Sequence, residues 1–127
     1  RGLGDVYKRQ VHLSGSDFIR ILKAAALGGD MMTLAINKDH FTVSANSTNS
    51  NIQVNFHKDD LQLFEFDNPA HSQYSLGYLQ PLNKVIGRVE TLEIGFGENY
   101  PLAINFAFHD GAVEVKYFLA PRVEGDI

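Results

Sequence analysis

Two kinds of side chain in this sequence have the type and spacing to do chemistry. His40 beside Asp39, and His109 beside Asp110, are pairs of the sort that moves a proton or holds a metal ion. Arg20, Lys23 and Lys84 are long cations able to meet a polyanion such as nucleic-acid phosphate. Context weakens the first possibility. Both His–Asp pairs fall in short polar links between alternating segments, where these residues serve turn geometry, and no HExxH, GxSxG or Walker-type spacing occurs. Gly95-x-Gly97 opens a turn instead of a helix, which makes it a poor phosphate loop. The lack of cysteine removes disulfides, zinc knuckles and thiol nucleophiles. The expectation is no catalytic residue, no metal and no cofactor.

The elements that must position the cations are set by periodicity. Ser14, Ser16 or Asp17 can cap a helix that begins before Phe18. At about 100° per residue, Phe18, Ile21, Leu22 and Ala25 share one side and Arg20 and Lys23 the other; Gly28-Gly29-Asp30 stops the helix. Met31 to Asn37 and His40 to Asn46 alternate as a hairpin around Lys38-Asp39. After the polar turn Asn46 to Asn51, Ile52, Val54 and Phe56 alternate with Gln53 and Asn55. The solvent side of that strand carries no charge, so it suits an edge that pairs with another chain. Leu61 to Phe66 predicts a further strand, broken by Asn68-Pro69, and Gln73 to Ser75 leads into a second helix. There Leu79, Leu82 and Ile86 form the apolar stripe, with Gly77, Gln80 and Lys84 opposite. Pro81 costs little in the first turn and kinks the axis if deeper. Strands over Thr91 to Phe96, Leu102 to Phe108 and Val113 to Leu119 complete about nine strands and two helices. The opening words Thr33-Leu-Ala-Ile36 and Thr91-Leu-Glu-Ile94 come after the two helices in turn, so the chain reads as a repeat.

Length and composition bound the rest. The chain has 127 residues, 44% of them apolar, and a formal net charge of −4, which suits one α+β domain with a real core. No apolar run approaches the roughly 18 residues of a membrane-spanning helix. The first ten residues lack the alternation that begins at Val11 and read as a non-native lead-in, leaving 11–127 as the domain. Without Arg1, Lys8, Arg9 and Asp5 the balance is eight basic against fourteen acidic residues, so nucleic acid can be met only through local clustering. From periodicity alone, the plainer reading of Arg20, Lys23 and Lys84 is three solvated faces.

The most specific words are VEVKYFLAPRVEGD (Val113 to Asp126), YPLAINF (Tyr100 to Phe106), YSLGYLQPLNKVIG (Tyr74 to Gly87) and HLSGSDFIRILKAAALGGD (His12 to Asp30). Together they resemble the second of the two domains of the DNA polymerase sliding clamp, proliferating cell nuclear antigen, in its archaeal form, over Val11 to Glu124. The resemblance implies a fragment lacking the first domain and its connector. It also implies an α+β clamp fold: a duplicated β-α-β-β-β unit with two helices packed on antiparallel sheets. Such clamps are non-enzymatic trimeric rings that a clamp loader places around double-stranded DNA without sequence preference. They tether DNA polymerase, flap endonuclease and DNA ligase, with no membrane role, in the cytoplasm of an archaeon or the nucleus of a eukaryote.

The resemblance also distributes roles. Arg20, Lys23 and Lys84 line the channel, while Gly77 departs from relatives that carry a basic side chain there. Pro101, Phe118, Ala120, Pro121 and Arg122 surround a pocket for a partner peptide. Asn51, Ile52, Gln53, Val54, Asn55 and Phe56, helped by Ala24 and Leu27, form the subunit boundary. Two alternatives are a checkpoint-type clamp subunit, against which the FLAPRVE tail argues, and an unrelated helix-on-sheet interaction module. An unrelated helix-on-sheet ligand-binding domain would need a roomy apolar pocket between helices and sheet, whereas the Ala24-Ala25-Ala26 run suggests close helix packing.

Overall fold

Side-chain alternation sorts the strands of the computed structural model into two antiparallel sheets; residues 9–46, 49–108 and 110–122 are described. In chain order these are β1 (Gln10–Leu13), α1 (Gly15–Ala26), β2 (Met31–Ile36), β3 (His40–Asn46), β4 (Asn51–His57), β5 (Leu63–Glu65), β6 (Ala70–Ser75), β7 (Leu92–Gly95), β8 (Leu102–Phe108) and β9 (Val113–Leu119). One sheet runs β5-β1-β7-β8-β9, the other β4-β3-β2-β6. The first strand of each repeat therefore crosses over: β1 pairs with β7 of the second unit and β6 with β2 of the first, both antiparallel. This exchange gives the domain an internal two-fold likeness in which β4 and β9 are equivalent outer strands.

Helix α1 forms where its caps and stripe agree. The Ser14 hydroxyl accepts from the Asp17 amide at 3.1 Å, Asp17 lies in the first turn and Lys23 in the last, an arrangement favourable to the helix dipole. Phe18, Ile21, Leu22 and Ala25 are buried against the sheets. In β2 and β3, Leu34 lies opposite Val43 and Ile36 opposite Phe41, so one face of the hairpin is wholly apolar. Phe41 meets Phe96 at 5.9 Å between ring centroids, which joins the two sheets in a single core.

The second helix predicted around Leu79 is instead two consecutive 3-10 turns, Leu76–Tyr78 and Gln80–Lys84. Gly77 weakens an α-helix there, and Pro81 lacks the amide that would bond the Gly77 carbonyl. The chain closes tighter bonds: Leu79 N–H to Leu76 O at 2.9 Å, Leu82 N–H to Leu79 O at 3.0 Å and Val85 N–H to Leu82 O at 3.0 Å. Three residues per turn put Leu76, Leu79 and Leu82 on one line, and all three are buried, as is Ile86. The stripe thus survives a change of helix type. Other boundaries shift less. The strand expected over Leu61 to Phe66 is only Leu63–Glu65, after a 3-10 turn at Lys58–Asp60, and Gln73 to Ser75 is the end of a longer β6.

Arg9 and Gln10, inside the ten-residue lead-in, belong to the packed structure. Gln10 is buried in β1, the Arg9 carbonyl accepts from the Phe96 amide at 3.2 Å, and its Nε donates to the Asn68 carbonyl at 2.7 Å. Residues 1–8 of that lead-in, Ser47 and Thr48 of the polar turn, His109, and the end of the tail from 123 to 127 lie outside the described residues.

Candidate nucleic-acid and partner interfaces

The cations expected to face a polyanion lie on adjacent elements of one helical layer. Arg20 and Lys23 are exposed on α1 opposite its buried face, and Lys84 is exposed at the end of the second 3-10 turn. Helix α1 docks on these turns through backbone contacts that fix their spacing. The Gly15 amide donates to the Val89 carbonyl at 2.9 Å, and a Cβ on Gly15 would lie 1.8 Å from the Ile86 carbonyl oxygen. At the other end, a Cβ on Gly28 would lie 2.5 Å from the Ala45 carbonyl oxygen, so only glycine permits both approaches. The three cations are not equivalent. Arg20 is ion-paired with Asp17 one turn earlier, whereas Lys23 and Lys84 have no ion pair among the described residues. Gly77 is exposed, with no atom within 4 Å of where its Cβ would be.

At the end of β9 the residues expected to hold a peptide come together on the outer face of the first sheet. Cross-strand registers align Gly95, Ala103 and Phe118 in one row. Two small buried positions therefore lie beside a ring that is 61% exposed. The Leu102–Leu119 pairing brings Pro101 and Ala120 to the same end. Beyond it the tail leaves the first sheet for the second. The Arg122 amide donates to the Gln73 carbonyl at 2.8 Å, and its guanidinium lies 3.6 Å from the Met31 sulfur. Arg122 thus straps the tail to β6 while Pro121, half-buried, turns the chain.

The third set surrounds an open margin. Strand β4 is the last of its sheet; Asn51, Gln53 and Asn55 are exposed, and Ile52, Val54 and Phe56 are half-buried. Leu27, 74% exposed, adjoins this edge because the Ser50 hydroxyl donates to its carbonyl at 3.2 Å, and Ala24 is half-buried one turn earlier. An apolar strip therefore borders a backbone edge able to accept another strand. By contrast, His40 and Asp39 do not form a site. The Asn37 side chain accepts from both their amides, at 2.9 and 2.8 Å, Asp39 pairs with Lys58, and His40 stands edge-on to His57. No cluster of three or more metal-type ligands exists among the described residues.

The family model for proliferating cell nuclear antigen, C-terminal domain, matches residues 4–122. The chain belongs to that family. It is 32% identical over 119 residues to the DNA polymerase sliding clamp of Methanospirillum hungatei, covering 92% of this chain and 48% of the relative. It is 35% identical over 119 residues to that of Methanoregula boonei, with the same coverage of each. The chain therefore spans about half the length of the curated relatives it matches. Among solved structures, A. fulgidus PCNA with the C-terminal region of FEN-1 bound aligns with a TM-score of 0.85 and 27% identity, over 94% of this chain and 49% of that one. Thermococcus kodakaraensis PCNA shares the fold, with a TM-score of 0.81 at 23% identity over 91% of this chain and 48% of that one.

Two features of this PCNA-family domain carry no mark in the sequence. Strand β9 is a second terminal strand, equivalent to β4 under the internal two-fold. Its residues alternate like any hairpin strand, so only the sheet order reveals its edge. Arg88, exposed beyond the 3-10 turns, is a further cation near the same layer; it belongs to no periodic segment and so carried no signal.

Proposed function

We propose that this chain is the C-terminal half of a sliding clamp whose trimeric ring encircles duplex DNA and tethers replicative polymerase, flap endonuclease and ligase. One observation carries the reading: exposed cations occupy a single helical layer flanked by two sheets, each with a terminal strand, β4 in one and β9 in the other, to which no further strand pairs among the described residues. A ring that must slide needs positive charge near phosphates with no base-specific bonds. Flexible lysine and arginine on helices meet that need. The two edges suit head-to-tail closure, β9 taking the upstream half of the same subunit and β4 that of a neighbour. The ring carries no catalytic step; a clamp loader places it and the tethered enzymes do the chemistry. On this reading the work is done in the cytoplasm of an archaeal cell.

The test is topological. Joined to the upstream half of the M. hungatei clamp and loaded by its clamp loader, the chain is expected to stay on nicked circular DNA and to be lost when that DNA is linearised. Equal retention on circular and linear DNA would rule out encirclement.

Two expectations concern the pieces. Strand β4 is assigned to the upstream half of a neighbouring subunit, so residues 1–127 by themselves are expected to sediment as a monomer of 14.1 kDa; a stable ring-sized trimer would contradict the assignment of β4. On this reading a connector from the upstream half completes the peptide site beside Phe118, so residues 1–127 by themselves are expected to bind a client peptide more weakly than micromolar. In the completed ring, Phe118→Ala is expected to weaken that peptide by about 2 kcal/mol, the scale of an interface hot spot. Calorimetry on both forms decides this, and micromolar binding by the lone chain would overturn it.

A further inference from the structure

Away from these surfaces, pairing between β7 and β8 stops at Glu93 opposite Asn105, although β8 continues to Phe108. Beyond that pair the segment from Arg88 to Thr91 and the end of β8 part around an open groove of about 890 Å³. Four carboxylates, Glu90, Glu93, Asp110 and Glu114, line it against one guanidinium, that of Arg88. Phe108, half-buried, contributes apolar wall, and Phe106 beneath it belongs to the core.

Asn105 adds an independent sign of a missing ligand. It lines the groove and is 5% exposed. Its Nδ2 donates to Glu93 Oε1 at 2.9 Å, but its Oδ1 is buried without a hydrogen-bond partner among the described residues. Reversing the amide would satisfy nothing, because Oδ1 would then face the Glu93 carboxylate. A buried acceptor without a donor is costly, and the group that would relieve it is an N–H. The carboxylates ask for the same ligand: a cation that carries N–H donors. A bare metal ion does not fit, since no three metal-type ligands converge among the described residues.

We propose that this groove binds a basic, extended peptide segment of a partner protein. Lysine or arginine heads meet Glu90, Glu93 and Glu114, and their methylene stems lie along the half-buried Phe108. Charge complementarity and a volume of about 890 Å³ lined by residues of three segments favour a peptide over a compact amine. The inference rests on the local geometry where β7 and β8 part; Glu114, on β9, borders the edge assigned above to the upstream half, and the peptide is tested on the 127-residue chain by itself.

The 127-residue chain itself serves for the test. A short fluorescein-labelled peptide of alternating lysine and valine is titrated at low salt and followed by anisotropy, with spermidine as competitor. Saturable binding is expected, weakened about tenfold by Glu93→Gln with Glu114→Gln; glutamine at 93 can still accept from Asn105. The same loss of charge placed elsewhere, Asp30→Asn with Asp60→Asn, is expected to leave the affinity within twofold, or about 0.4 kcal/mol. Non-saturable binding, equal weakening by the two double variants, or displacement by spermidine at the peptide's own concentration would each overturn the proposal. Asn105→Leu is a second probe, expected to lose the peptide; if it fails to fold, the glutamate pair decides alone.

Discussion

Gly15→Ala is expected to destabilise the domain by about 3 kcal/mol or more, the upper end of overpacking penalties. The added methyl would lie 1.8 Å from the Ile86 carbonyl oxygen and 3.0 Å from that of Val89. Neither obstacle is a flexible side chain. Both belong to the backbone segment that accepts the Gly15 amide, so relief requires α1 to lift off the turns. The sign is informative, because replacing a helical glycine by alanine ordinarily stabilises by up to about 1 kcal/mol. Urea unfolding measures it: the midpoint should fall by about 1–2 M. Gly77→Ala, with no atom within 4 Å of the new methyl, is the control and should leave the midpoint unchanged or raise it. An unaltered midpoint for Gly15→Ala would mean that α1 does not sit on the turns as described, and the spacing between Arg20, Lys23 and Lys84 would lose its basis.

That docking also shows where local sequence signals stop. Helix α1 was legible because cap, stripe and stop all lie within the segment: Ser14, Phe18 to Ala25, and Gly28. The strands His40–Asn46, Leu102–Phe108 and Val113–Leu119 carry the expected bounds for the same reason, since alternation and turn residues are local. At the second repeat the apolar positions were right and the helix type was wrong. A stripe at Leu79, Leu82 and Ile86 fits either period, and Gly77 with Pro81 decided for the tighter one. The crossing of β1 and β6 into each other's sheets leaves no trace in either strand, because pairing partners lie far apart in sequence. The same non-locality hid the β9 edge and the groove at the end of β8. The Arg20–Asp17 pair is different: its i,i+3 spacing is local and legible in the sequence, where Asp17 serves equally as a cap candidate.

Replacing Arg20, Lys23 and Lys84 by alanine in the completed ring is expected to flatten the salt dependence of DNA retention. Each phosphate contact releases counterions that contribute about 0.9 to the slope of log K against log salt, so losing all three should lower its magnitude by roughly 3 per subunit at most. The single variants should not be equal. Lys23 and Lys84 are unpaired among the described residues, whereas Arg20 must exchange the Asp17 carboxylate for a phosphate. Arg20→Ala is therefore expected to lose least, and Asp17→Asn to raise affinity by freeing the guanidinium. Gly77→Lys supplies the opposite sign. Its site is exposed and open, and a lysine there should steepen the slope by about 0.9 per subunit if it reaches a phosphate. Retention on nicked circles across a salt series reads all of these together. If the triple variant keeps the parental slope and Gly77→Lys leaves it unmoved, the helical layer does not face DNA; a change in one sign only would separate charge placement from loss of fold, which the urea midpoint monitors independently.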